Sequence, residues 1–432
     1  MLEGHHKRFL ALALLSTLLV LAFSALEGDS PVHPLPNALA QPLSAVDACG
    51  NISVNTTWTT GNVYTAHNCN VIVDPAATLT IQAGVIVKVG GGAYPGYDSN
   101  AAFVVKGALV AQGTEEAPVV FTSWRDDDHG GDTNGDGDST GSPGEWYGLA
   151  FMPSSQSELS HTYVYYAGSG QYGRWDGSIY NNFAQIYVDD AAFSLQHSEV
   201  AYSPQAGIWL SGEGTQAVIG STRIISNTGQ AAAYRPGGIY QDTLNMDAVY
   251  HNLTLEDNIL DVVALDPYSA LTGDVILDGA PLMLYGSLAV PDGHALILKP
   301  GTLLRQHYYR NSIRIEAGGH LTVTGTVTAP VVFAPASDEP KSLYDQWGGI
   351  RVDQGASASL SHAEIRNAGS SWSKYFAGLW LQSSDVIVRD VRIYGSIYDG
   401  LRISQTGATA TLENVTLHDN ARDGLALWTR GG

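Results

Sequence analysis

The chain has 432 residues, of which only 15% are charged, and a net charge of −21. So acidic a surface repels a phosphate backbone, which argues against nucleic acid as a partner. Glycine is abundant, with 48 residues, and charge is sparse, a composition that favours strands joined by tight turns over long helices.

In chain order, His5, His6, Lys7 and Arg8 form a basic start, and Phe9 to Leu26 is an uncharged apolar run. Residues 1–26 therefore read as a secretory signal peptide, or as a signal anchor that stays in the membrane. Residues 27–46 carry Pro31, Pro34, Pro36 and Pro42 and read as a linker. Beyond them no segment is long and apolar enough to suggest a membrane span. The two cysteines, Cys49 and Cys69, follow an export signal, and an even count there predicts a disulfide.

The rest of the chain repeats itself. "VIVDPAATLTIQAGVIVK" from Val71 aligns without a gap on "LAVPDGHALILKPGTLLR" from Leu288, an offset of 217. "GALVAQGTEEAPVVF", ending at Phe121, matches "GHLTVTGTVTAPVVF", ending at Phe333. "WYGLAF" at Trp146 matches "WGGIRV" at Trp347, and "LSH" recurs with His161 and His362 in the same place. The first copy spans 47–286 with an insertion at 125–145. The second spans 287–432, and being shorter than the offset it reads as truncated.

A shorter period runs inside each copy. Ile224, Leu255 and Leu417 each stand three residues before an asparagine, Asn227, Asn258 and Asn420. "GLWL", "GLRI" and "GLAL" begin at Gly378, Gly400 and Gly424. A period of roughly 20–30 residues means a solenoid, and alternation over so few residues means strands. The aliphatic residues are expected to point inward. Each Gly or Asn is expected to mark a left-handed corner, with the asparagines stacking as amide ladders. Leucine-rich repeats and propeller blades have other signatures.

"TLTIQAGVIVKV", "APVVFTSW" and "GEWYGLAF" resemble the opening coils of bacterial exported β-helix-repeat proteins of the pectin-lyase-like superfamily. The resemblance covers residues 47–432. It implies an all-β, single-stranded right-handed parallel β-helix, with aliphatic stacks inside and function carried by loops on one side. Lyases of this fold pair acidic Ca²⁺ ligands with an Arg or Lys base, and its hydrolases cluster aspartates. Neither constellation maps onto this chain residue by residue, and catalytic residues stay unassigned. Arg235, in "YRPGG", lacks a supporting arginine at suitable spacing.

The insertion holds the clearest chemistry. Asp126, Asp127, Asp128, Asp132, Asn134, Asp136 and Asp138 crowd one Gly-rich stretch. Asp132, Asn134, Asp136 and Gly137 occupy positions 1, 3, 5 and 6 of a Ca²⁺-loop pattern. Position 12 is Pro143 where a glutamate belongs, and Glu145 is the nearest substitute. The expectation is a structural Ca²⁺ that orders a loop its own carboxylates would otherwise push apart. Trp209, Trp380 and Trp428, near the ends of Gly-led strands, are candidates for stacking on a glycan, with packing between coils as the competing role. The repeated Trp146 and Trp347 read as structural. The expected protein is secreted or on the cell surface, a scaffold, adhesin or glycan-binding module. The alternative is a polysaccharide lyase or glycoside hydrolase.

Overall fold

The structure is a computed structural model, and it describes residues 44–91, 101–169, 184–228, 238–266, 270–307, 311–338, 342, 345–369, 377–404 and 408–428. The stretch 1–26, read above as a signal peptide or anchor, and Arg235 lie outside these residues. The described strands are joined into parallel ladders, the arrangement of a β-helix in which each coil contributes one strand to each of three faces. The first coil starts with the strand Ser44–Asp47, so the coil begins inside the stretch read as linker up to residue 46.

In the first half, one face stacks eight strands from Ser44–Asp47 to Thr254–Glu256. A second face runs from Gly50–Ile52 to Val263–Leu265, and a third from Thr56–Trp58 to Asp247–His251. Alternation decides what is inside. On the second face Val71, Phe103, Leu149, Ile186, Ile208, Ile239 and Val263 stand directly over one another, and all are buried. Each coil alone would leave its apolar side bare; stacking closes it, at about 25 cal/mol per Å² of apolar surface buried.

The two halves share this stack. Val263–Leu265 pairs with Pro281–Leu284, and Val263 is followed by Leu282, Leu304, Phe333, Ile365, Ile393 and Leu417 in register. By the sequence repeat, however, the strand Leu303–Gln306 corresponds to Ile86–Gly90, which lies on the first face. The ladder therefore slips by one face at the junction. Asp247–His251 ends its own ladder, while Val275–Leu277 begins another by pairing with Ala295–Leu298. A cavity of about 380 Å³ lies between these two strands, lined by Met246, Tyr250, Val275 and Leu277 among others. The second-half ladders thus begin at Val275 and Pro281, ahead of the boundary at 287 suggested by the repeat.

Ile224 is fully buried, and Leu255 and Leu417 pack on the same core, as their spacing predicts. The asparagines also stack: Asn227 Nδ2 donates to Asn258 Oδ1 at 3.0 Å, and Gln185 Nε2 donates to Asn227 Oδ1 at 2.9 Å. The corner assignment needs correcting. The left-handed residue is the one before each asparagine: Ser226, Asp257 and Asp419, with φ of 54°, 55° and 53°. Asn227, Asn258 and Asn420 are not at positive φ, which leaves their amides to bond between coils. Nor do Gly378, Gly400 and Gly424 have positive φ; at Gly400 an added Cβ would come within 2.5 Å of Asn420 Nδ2 in the next coil. That glycine is there for close approach.

Cys49 and Cys69 are disulfide-bonded and tie the corner of the first coil to that of the second. Trp146 and Trp347 are fully buried, and each Nε1 donates to a backbone carbonyl 19 residues on, Tyr165 O at 2.8 Å and Arg366 O at 3.0 Å. His161 and His362, with φ of 45° and 48°, occupy equivalent left-handed corners.

Candidate functional site

Two regions gather chemistry on the outside of the coil. The first is the acidic insertion. It leaves the strand Val119–Ser123 and lies over the outward side of the first face. Val63, Ile86 and Val120 point outward there in register, yet all are buried. Gly130 fits so closely that a Cβ would meet Val63 Cγ2 at 2.8 Å, and the His129 ring lies 5.5 Å from that of Tyr165. The insertion is thus docked on a small second core.

A residue that the sequence reading passed over anchors it. Lys88 sits in the middle of Ile86–Gly90, points outward between Thr65 and Thr122, and is fully buried. Its Nζ donates to Gly131 O at 2.5 Å and lies 3.6 Å from Asp127 Oδ1. Burial pushes the ammonium below its ordinary pKa, against the opposing pull of Asp127 and Asp126. A lysine inside an otherwise wholly buried apolar strand, "VIVKVG", is the signal that could have found it.

The acidic residues do not act as one cluster. Asp127, Asp132 and Asp136 each place one carboxylate oxygen within 4.8 Å of the others. Asp126 turns inward, accepting from the Thr122 hydroxyl and contacting His129 Nδ1 at 2.7 Å. Asp128 accepts from Thr140 Oγ1 at 3.3 Å, and Glu145 accepts from the Ser123 hydroxyl and from Ser142 N. Asn134 Oδ1 accepts from Asp136 N at 3.1 Å, and Asp138 is exposed outside the group. The N–H groups of Gly135 and Gly137, bonded to Asp132, hold its carboxyl below the ordinary range.

The second region is the outward side of the second-half strands Leu288–Val290, Ile313–Ile315, Ile350–Val352, Ala377–Leu381, Asp399–Ser404 and Leu425–Trp428. Register places Arg314, Arg351, Trp380 and Arg402 on successive rungs. Asp353 receives two of them: Arg314 Nε donates at 2.7 Å and Arg351 Nε at 2.5 Å. The Arg351 guanidinium lies 4.7 Å from the Trp380 ring centre, and that of Arg402 lies 4.4 Å from Trp428. Beside the ladder is an open cleft of about 640 Å³, lined by Asp292, Arg314, Glu316, Arg351, Asp353 and Gln382 among others.

Trp209 occupies the matching line of the first half, where Ala150, Tyr187, Trp209, Tyr240, Ala264 and Met283 follow in register. It is buried, edge-on to Tyr187 and Tyr240, and its Nε1 donates to Asp242 Oδ2 at 3.3 Å. Its ring is committed to packing, while Trp380 and Trp428 sit among arginines and Trp428 is exposed.

Compared with known families, the sequence matches the model of the pectate-lyase-like β-helix domain over residues 50–136 and 269–425, which together make up more than half of the chain. The first stretch falls in the first copy, and the second runs from the end of the first copy through most of the second. No curated protein matches the chain. With parallel ladders stacked coil on coil and a family match in both halves, this chain belongs to the pectate-lyase-like β-helix family.

Proposed function

We propose that this is an exported, non-catalytic β-helix that binds glycans in the cleft beside Arg314, Arg351 and Trp380. The cleft carries the reading. It offers planar donors and acceptors side by side, guanidinium groups, carboxylates and the Gln382 amide, on rungs about 4.8 Å apart. Sugar hydroxyls need fixed donors and acceptors in that mixture, and a linear polymer meets a repeating row of them. Both guanidinium groups are held in place by Asp353, so the cleft loses little side-chain freedom when it binds. The disulfide is in keeping with an oxidising compartment and hence with the signal read at residues 1–26.

One observation favours cleavage instead: Asp292, Glu316 and Asp353 stand beside two partly exposed arginines. Yet both guanidinium groups are engaged by carboxylates, Arg314 by Asp353 and Glu316 and Arg351 by Asp353, so neither is turned toward the cleft as an unencumbered base. Binding is therefore the preferred reading. The test is a panel of neutral and acidic polysaccharides scored for both retention and cleavage. We expect retention without new chain ends, and a loss of roughly tenfold in affinity for Arg351→Ala. New chain ends would move the assignment to a lyase or hydrolase. Neither retention nor cleavage across the panel would leave a scaffold role.

A further inference from the structure

The joint between the copies leaves the wall of the coil open. The turn from Ile239 to Val263 takes 24 residues, whereas the next, from Val263 to Leu282, takes 19. So short a turn does not lay a full strand beneath each strand above it. Asp247–His251 pairs with Gln216–Gly220, and Thr254–Glu256 with Arg223–Ile225; among the described residues neither has a strand on its other side. Val275–Leu277 likewise pairs only with Ala295–Leu298. Two strand edges thus border the cavity of about 380 Å³. The side chains show what is missing. Ala248, Tyr250 and Leu255 continue the inward lines of Ala217, Ile219 and Ile224. The earlier three are buried, the later three only half-buried. Backbone groups are left over as well. Asp247 N and His251 O bond to the coil above, so by alternation the N–H and C=O of Ala248 and Tyr250 point to the open side. From below, Lys299 N donates to Leu277 O, which turns the N–H and C=O of Ile276 toward the same opening. An edge in this state is a template for a further strand.

We propose that the opening takes up an extended peptide from a partner protein as an added strand, its residues alternating between apolar and basic. An added strand pairs with backbone edges and sends every second side chain to each side of the wall. The inward set enters a space bordered by Met246, Val275 and Leu277. The outward set emerges among Asp247, Asp274 and Asp278, all exposed, and no Lys or Arg is among the residues that line the opening. An acidic rim on a chain of net charge −21 repels an acidic strand and favours lysine or arginine at the outward positions. Val249 and Ile276, exposed on the outer side of the two edges, add apolar surface against which the stems of such side chains pack. An acyl chain would fill the apolar space but leave both rows of backbone groups unpaired.

The test uses the full chain and a fluorescein-labelled peptide of alternating valine and lysine, followed by anisotropy and by amide exchange. We expect saturable binding, with exchange slowed at Ala248, Tyr250 and Ile276 and unchanged in the distant coils at residues 377–404. The same peptide with every second amide N-methylated keeps its charge and side chains but cannot pair along that edge; it should bind at least about tenfold more weakly. Ile276→Pro removes an N–H that the pairing with Ala295–Leu298 does not use, a change that edge strands tolerate, and should weaken binding by a similar factor. Asp247→Lys combined with Asp278→Lys, both at exposed positions, should weaken the lysine peptide as well, and thermal melting checks that the variants fold. Equal binding of the N-methylated peptide would overturn the proposal, since charge alone would then hold it. Absence of saturable binding would overturn it too, as would uptake of dodecanoate with none of the peptide.

Discussion

Asn227 shows how much a single inward amide can carry. Its Oδ1 accepts from Gln185 Nε2 and Ser203 N, and its Nδ2 donates to Val200 O and Asn258 Oδ1. Truncation to alanine would remove these partners from Ser203 N–H, Val200 O and one N–H of Gln185, all in the interior. We expect Asn227→Ala to cost about 3 kcal/mol in denaturant unfolding, and the less buried Asn258→Ala to cost less. Equal and small losses would mean that the ladder follows from the fold without stabilising it. The spacing of these asparagines was legible because an aliphatic residue and an amide recur on the inner side of every such corner. The left-handed positions were not legible. They are filled by Ser226, Asp257 and Asp419, and elsewhere by His161, Tyr166, Tyr202 and Asn367, so no single residue type marks them. A glycine in "GLRI" looks like a corner, yet its reason is a neighbour one coil away.

At the scale of elements, the two copies solve the same problem with different chemistry. Lys88 in the first copy and Arg305 in the second are equivalent by the 217-residue offset. Each points outward and meets an aspartate in the segment after the next strand of its ladder: Asp127 for Lys88, and Asp338 for Arg305 at 2.8 Å. Arg366 also reaches Asp338, at 2.5 Å. The hydrogen bond from Arg305, with the charges of Arg305 and Arg366, holds the Asp338 carboxyl below its ordinary range. A carboxyl so depressed stabilises the fold in full above its ordinary value. As pH falls, the unfolded chain takes up that proton first, and the contribution is lost through the folded value. With the side chain 57% exposed, the effect should stay under about 1 kcal/mol. Melting followed from pH 6 to pH 2 should therefore fall slightly more steeply in the wild type than in Asp338→Asn. A steeper fall in the variant would show that the pair does not stabilise this corner. The aspartates could be picked out from their crowding alone. Their sorting could not, because it depends on Lys88, Thr122 and Ser139 reaching them across the fold.

At the scale of the molecule, a solenoid is stabilised neighbour by neighbour, and its ends are its weak points. The Cys49–Cys69 bond closes the first end. Reducing it should remove about 3 kcal/mol by the chain-entropy argument. The loss should be local: amide exchange should quicken in residues 44–73, while residues 288–404 keep their protection. Uniform quickening along the chain would instead mean that the coils unfold as one unit. The repeat made the fold class and the order of strands legible. It said nothing about how the copies join, because either face of one half could accept the next strand, and local spacing is the same in both cases.

That joint has a consequence for what the protein can hold. Because the ladder slips by one face in three, the packed line of Tyr187, Trp209 and Tyr240 does not run on into the line of Arg314, Arg351 and Trp380. It continues through Met283 to Arg305 and Ala334. Like two cams keyed to one shaft at different angles, the copies turn the same side of their repeat in different directions. A stiff filament lying against one would pass the other by, so duplication here does not lengthen a track but gives the rod a second heading.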